Sequence, residues 1–139
     1  MEADLAPPSF WLATCGDALS PRPALTGDVN ADVCIVGAGY TGLWTAYYLA
    51  QVSDARIVVI DAHHVGFGAS GRNGGWSSAL FPASSSSLAQ LPGSSPDAAR
   101  AQDAAMRATV DEIGAVTTAE GIDCGYAKGG TIVAARSSA

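Results

Sequence analysis

The sequence is poor in basic residues and has no long apolar run. Its 139 residues contain 7 lysines and arginines against 13 aspartates and glutamates, which gives a net charge of -6. Nucleic acids and anionic membrane surfaces recruit clusters of basic side chains, so this balance argues against both partners. No apolar run approaches the ~18 residues of a membrane span. The opening residues, MEADLAPPSF, also lack the basic and apolar regions of a signal peptide.

Cysteine is scarce as well, and its spacing excludes common cysteine sites. Cys15, Cys34 and Cys124 are odd in number, far apart, and form no CxxC pair or metal-binding spacing. This pattern predicts buried, unreactive thiols and a reducing, cytoplasmic location. His63 and His64 are adjacent, so their side chains point in different directions. We therefore predict no metal site.

An apolar βαβ pattern occupies residues 32–61. With 48% hydrophobic and 14% charged residues, the composition is that of a globular domain. DVCIVGAGYTGLWTAYYLAQ begins with a short apolar run typical of a buried strand, continues through a glycine turn, and then shows helical spacing. ARIVVID, at residues 55–61, is a second apolar strand ending in an acid. The pattern predicts an α/β fold with a Rossmann-like parallel sheet, incomplete in this chain.

The first glycine turn, residues 37–42, reads GAGYTG and has the GxGxxG spacing. In a strand–turn–helix, Gly37 permits the turn, Gly39 lets the backbone approach a pyrophosphate, and Gly42 lets helix and strand pack closely. The helix N-terminus offers amide donors to the phosphates, so no basic side chain is needed. Asp61, after the second strand, can accept hydrogen bonds from a ribose and would repel a ribose phosphate. The pattern therefore favours NAD or FAD over NADP, while a turn without a ligand is the structural alternative.

A second glycine-rich stretch, GFGASGRNGG at residues 66–75, follows almost directly; we call it the glycine loop. Ser70 and Asn73 can donate hydrogen bonds, and Arg72 can offset the charge of a phosphate or a reduced flavin. Its glycines would let the backbone lie flat against a ring, which favours FAD over NAD. A flexible Gly/Ser linker is the alternative, although linkers rarely contain residues such as Phe67 and Trp76.

Outside this core the chain divides into three further segments. Residues 1–31 are a lead-in, with one short helical turn whose apolar side chains, Trp11 among them, dock elsewhere. The FAD-binding core with its glycine loop covers residues 32–82, and a mobile Ser-rich loop is predicted over residues 83–96. The last segment, residues 97–139, is predicted to contain most of a long helix over residues 96–120, with Ser95 as its N-cap and Pro96 at its first position. Two short strands are predicted at residues 124–136, where they start a second, antiparallel element. The apolar face of the helix consists of Met106, Val110, Ile113 and Val116.

These motifs together resemble a known family. DVCIVGAGYTGLWTAYYLA and IVVIDAHHVGFGASGRNGG are similar to the N-terminal part of FAD-dependent oxidoreductases of the D-amino-acid oxidase type. The lead-in and the stretch GIDCGYAKGGTIVAAR resemble the bacterial subgroup similar to gamma-glutamylputrescine oxidase. The resemblance implies FAD as cofactor, a small amine or amino acid as substrate, and hydride transfer from the amine-bearing carbon to the flavin. It also implies a longer chain with a substrate domain, so we expect this chain to be an N-terminal portion.

The resemblance also assigns cofactor-binding positions. It implies that the first glycine turn holds the pyrophosphate, that Asp61 binds ribose, and that the glycine loop lines the cofactor toward the flavin. Two positions depart from the family pattern: Asp61 stands where glutamate is commoner, and Trp76 where glutamine is expected. No catalytic side chain and no oligomeric state is predicted. The implied positions are Gly37, Ala38, Gly39, Tyr40, Thr41, Gly42, Asp61, Gly68, Ala69, Ser70, Arg72, Asn73, Gly74 and Gly75.

Two other functions fit the same motifs. One is a non-catalytic dinucleotide-binding remnant, because two or three strands and one long helix leave apolar faces uncovered. The other is a small NAD-linked dehydrogenase domain, which would share the first glycine turn but would usually have a short loop and a second helix in place of the glycine loop. Binding of FAD and of NADH would discriminate between them.

Overall fold

The computed structural model describes residues 9–16, 21–132 and 134. The chain divides into two compact units, residues 1–76 and residues 77–139. No helix of the described part is both long enough and apolar enough to cross a membrane. The elements are α1 (Phe10–Thr14), β1 (Val33–Val36), α2 (Tyr40–Val52), β2 (Ile57–Ile60), a short 3-10 turn η1 (Ala69–Gly71), α3 (Ser85–Ala89) and α4 (Pro96–Ala119).

The first unit contains the predicted βαβ core. Strands β1 and β2 are parallel neighbours, and their register runs from Val33 opposite Ile57 to Val36 opposite Ile60. Helix α2 connects them and packs on the sheet. The α/β class and the parallel sheet are therefore confirmed. Parallel strands need a crossover connection between them, and helix α2 supplies it.

One face of strand β1 is uncovered in this structure. Val33 and Ile35 are half-buried, whereas Cys34 and Val36 are exposed, with Val36 at 81%. This alternation follows from the pleat, which turns successive side chains to opposite faces. The prediction of buried thiols is wrong: Cys34 lies on the uncovered face, and Cys15 and Cys124 are exposed as well.

The second unit is built on the predicted long helix. Ser95 caps α4 by accepting a hydrogen bond from the Ala98 amide at 3.1 Å, and Pro96 occupies the start of the helix. The predicted apolar face is half-buried along its length: Met106, Val110, Ile113 and Val116.

Two predictions for the second unit are wrong. Residues 83–96 are not an irregular loop throughout, because helix α3 forms at Ser85–Ala89 and packs on α4. Ser84 supplies the physical reason, since its hydroxyl accepts from the Ser87 amide at 3.1 Å and caps the helix.

The strand pair predicted for residues 124–136 is absent from the described residues up to 132 and at 134. Residues 133, 135 and 136 of that prediction lie outside the described residues. The segment instead bonds to helix α4. The Tyr126 hydroxyl donates to the Val110 carbonyl at 2.7 Å, and Lys128 pairs with Asp111.

Candidate functional site

The first glycine turn joins β1 to α2 through close backbone packing. Gly37 has a φ of +103°, which side-chain-bearing residues rarely adopt, and its amide donates to the Ile60 carbonyl of β2 at 2.7 Å. A Cβ on Gly42 would overlap the Gly37 carbonyl oxygen. Helix α2 begins at Tyr40, with Gly39 as an N-cap that supplies no side-chain acceptor. Its first-turn amides therefore include donors that the helix itself cannot satisfy.

Asp61 lies beside this turn because β2 ends next to β1. Its Oδ2 accepts from the Ala38 amide at 2.8 Å, and its Oδ1 accepts from the His63 amide at 2.9 Å. Both bonds lower the pKa of the exposed Asp61 carboxyl below its ordinary value of 3.8. The bond from Ala38 has the larger effect, and the bond from His63 comes second. Asp61 is therefore an anion at neutral pH, adjacent to the amides of the turn.

The glycine loop repeats the GxGxxG spacing of the first turn at Gly66, Gly68 and Gly71. The packing is repeated too, since a Cβ on Gly71 would overlap the Gly66 carbonyl oxygen. Residues Ala69–Gly71 form η1, in the place that α2 takes after the first turn. Gly66 and Gly71 were not among the predicted site residues, although the repeated spacing could have identified them.

Two hydrogen bonds bring the glycine loop to the first turn. The Gly66 amide donates to the Ala38 carbonyl at 3.0 Å. The Tyr40 amide, at the start of α2, donates to the Ser70 hydroxyl at 2.9 Å. The approach is close, since a Cβ on Gly39 would lie 2.8 Å from that hydroxyl oxygen. The structure thus unites both glycine-rich segments with Asp61 in one site within the first unit.

Asn73 shapes the second half of the loop. Its Nδ2 donates to the Ser70 carbonyl at 2.7 Å and to the Tyr40 hydroxyl at 3.2 Å. Its Oδ1 accepts from the Gly75 amide at 2.7 Å. The side chains of Ser70 and Asn73, expected from sequence to meet a cofactor, both make hydrogen bonds within the chain here.

Trp11 of helix α1 also contacts the loop. Its Nε1 donates to the Asn73 carbonyl at 2.8 Å. The indole ring packs so closely on Gly75 that a Cβ there would overlap it, and Gly75 has a φ of +69°. The sequence predicted that this helical turn docks elsewhere, but nothing in the local pattern identified the glycine loop as its partner.

Arg72 and His63 both lie against the ring of Phe67. The Arg72 guanidinium lies 5.0 Å from the centre of the Phe67 ring, and the His63 ring lies 3.8 Å from the same ring. Arg72 is exposed, as are Ala69 of η1 and Thr41 in the first turn of α2. Across the described residues, no group of three or more His, Cys, Asp or Glu side chains could hold a metal ion.

Gly68 and Gly74 are the two glycines of the loop that neither the fold nor the backbone explains. Neither has a positive φ, and a Cβ at either position would meet nothing within 4 Å. Glycine carries an entropic cost on folding. The space beside both glycines is therefore free of other atoms of the chain.

Comparison with known proteins agrees with this geometry. The family model described as FAD dependent oxidoreductase matches residues 32–139. Gamma-glutamylputrescine oxidoreductase of Escherichia coli (strain K12) is 45% identical over 67 residues, which is 48% of this chain and 16% of that protein. The "Probable oxidoreductase OrdL" of Haemophilus influenzae is 49% identical over 53 residues, 38% of this chain and 12% of that protein.

A second "Probable oxidoreductase OrdL", from Rhizobium meliloti, is 53% identical over 74 residues, 53% of this chain and 17% of that protein. The aligned part of the chain thus spans less than a fifth of the length of these curated relatives. No solved structure matches the chain significantly. Because the family model covers well over half of the sequence, including both glycine segments, the chain belongs to the FAD-dependent oxidoreductase family.

Proposed function

We propose that this chain is the FAD-binding N-terminal portion of an oxidoreductase that oxidises an amine or an amino acid. The observation that carries the proposal is the union of two glycine turns, through the bonds from Gly66 to Ala38 and from Tyr40 to Ser70. A mononucleotide site or a simple βαβ turn needs the first of these turns alone. A second glycine segment bonded to the first suits a long, flat dinucleotide.

The residues fit FAD by their chemistry. The pyrophosphate would be held by the first-turn amides of α2 that neither the helix nor Ser70 satisfies, because the positive end of the helix lies there. Asp61, kept anionic by the Ala38 and His63 amides, would accept hydrogen bonds from ribose hydroxyls. Gly68 and Gly74 would lie against the cofactor, since nothing in the chain occupies the space beside them.

When bound, the flavin would supply the two-electron oxidation by accepting a hydride from the amine-bearing carbon of the substrate. The chain itself binds and orients. Ser70 and Asn73 would act mainly by holding the loop in shape, because their side chains bond to Tyr40 and Gly75. Arg72, exposed and stacked on Phe67, would offset negative charge on the cofactor.

The substrate class rests on relatives. One of them is named for gamma-glutamylputrescine, so we propose a small amine as the substrate class, with an amino acid as the alternative. The net charge of -6 supports the absence of a nucleic-acid partner. Three exposed free thiols suit a reducing compartment, so a cytoplasmic location stays our proposal.

Titration of the purified chain with FAD tests the proposal. We expect saturable binding, measured by a shift of the flavin absorbance or quenching of its fluorescence, and a higher unfolding temperature with FAD than with equimolar NADH. A chain stabilised by NADH and indifferent to FAD would instead be a domain of an NAD-linked dehydrogenase. A chain that responds to neither would not be a dinucleotide-binding protein by itself.

A further inference from the structure

Helix α1 lies outside residues 32–139, where the family model matches, and yet it contacts the candidate site. It has five residues, capped by Ser9, whose hydroxyl accepts from the Leu12 amide at 3.1 Å. So short a helix is unstable in isolation, because its few hydrogen bonds do not offset the free-energy cost of forming the first turn. The helix therefore depends on contacts with the rest of the unit, and Trp11 supplies such a contact.

Trp11 holds the loop at two adjacent points. Its indole N–H donates to the Asn73 carbonyl at 2.8 Å, although the two residues are 62 positions apart in the chain. The face of the same ring packs on Gly75, where only a residue without a Cβ leaves room for it. Trp11 remains 44% exposed, so these contacts serve the loop rather than a hydrophobic core.

Asn73, which Trp11 contacts, also bonds to the residue at the start of helix α2. Asn73 bonds to the Ser70 carbonyl and to the Tyr40 hydroxyl. Ser70 in turn accepts from the Tyr40 amide at the start of α2. A continuous set of hydrogen bonds thus runs from Trp11 through Asn73 to the helix terminus that faces the proposed pyrophosphate.

We propose that Trp11 is a positioning residue of the cofactor site, which clamps the glycine loop at Asn73 and Gly75 and so raises the affinity for FAD. The inference rests on the proposed function. It adds to that function a segment that the family model does not cover. Without the clamp, the loop must lose more conformational freedom when the cofactor binds, which weakens binding.

Two Trp11 variants separate the contributions of the hydrogen bond and of the ring. Trp11→Phe keeps an aromatic ring over Gly75 and removes the N–H donor, so the Kd for FAD should rise about 2- to 10-fold, the effect of one net hydrogen bond. Trp11→Ala removes both contacts and should raise the Kd further. In the absence of FAD, both variants should speed hydrogen exchange of the Gly75 amide, which donates to Asn73.

Two control variants make the test specific. Thr14→Ala changes the same helix, but the Thr14 hydroxyl bonds only back to Phe10 within α1. Ile57→Val weakens the sheet at the end of β2 that is remote from Asp61. Both controls should leave the Kd for FAD unchanged, and Ile57→Val should do so despite lowering the unfolding temperature.

The outcomes distinguish the two levels of the proposal. If wild type binds FAD and Trp11→Ala binds it as tightly as Thr14→Ala does, Trp11 does not position the loop, while the proposed function stands. If Ile57→Val weakens binding as much as Trp11→Ala, the effect is one of general stability and the inference is again wrong. Wild type that fails to bind FAD would overturn the proposed function and the inference together.

Discussion

Gly74→Ala should weaken FAD binding without destabilising the chain. A Cβ at this position meets nothing within 4 Å, and the backbone has no positive φ, so the chain alone accommodates the methyl group. Replacing glycine at such a site changes stability by about 0.4–1 kcal/mol in the favourable direction, because the unfolded chain loses freedom. If the cofactor lies against the loop, the same methyl group intrudes on it. Overpacking of this kind costs roughly 1–3 kcal/mol.

That cost corresponds to a rise in the Kd for FAD of about 5- to 140-fold, at 1.4 kcal/mol for each factor of ten. Flavin fluorescence titration measures the Kd, and urea unfolding measures the stability. Gly27→Ala is the matched control, since it lies in the same unit with equally open surroundings, and it should raise the stability by a similar amount while leaving the Kd for FAD unchanged. Gly74→Ala that binds FAD as tightly as Gly27→Ala would refute the placement of the cofactor against the loop.

Three further predictions concern charge, packing and capping. The folded pKa of Asp61 lies below 3.8, so Asp61 contributes stability above that pH that is lost as the pH falls through the lowered value; urea unfolding should show a weaker acid dependence for Asp61→Asn. Ile35→Ala should cost about 1–3 kcal/mol of unfolding free energy, whereas Val36→Ala on the uncovered face should cost less than about 0.5 kcal/mol; equal losses would contradict the alternating burial of β1. Ser95→Ala should lower stability by about 1 kcal/mol by removing the cap of α4, and Ser95→Asp should restore it, both followed by the helical circular dichroism signal during thermal unfolding.

Local patterns were sufficient where neighbouring residues alone determine the conformation. The start of α4 was predicted from Ser95 and Pro96, because a cap is a contact between residues only three positions apart. The βαβ core was predicted because apolar runs and a glycine turn specify both strands and their connection. The loop at residues 83–96 was mispredicted although Ser84 carries the same capping signal. A run of serines obscured where the helix begins, and packing on α4 contributes to stabilising it.

Tertiary contacts gave the polar loop residues partners that the sequence did not show. The residue types predicted that Ser70 and Asn73 contact the cofactor, because hydroxyl and amide groups in a glycine loop can hydrogen-bond to one. The fold also brings the start of α2 next to them, so that Tyr40 bonds with both. These bonds join residues 30 or more positions apart, and no spacing pattern within the loop predicts them.

The sequence by itself determined the strand–turn–helix–strand core, the position of Asp61 after β2, and the family to which the chain belongs. These depend on short-range spacing, which the backbone converts directly into structure. Only the tertiary structure decided that the two glycine segments bond to each other and that Trp11 closes on Gly75. It also decided that Gly68 and Gly74 keep open space, whereas Gly42 and Gly71 are needed for packing. The physical reason is the same in each case. The structural role of a glycine depends on the group that approaches it, and that group comes from a distant part of the chain or from a ligand.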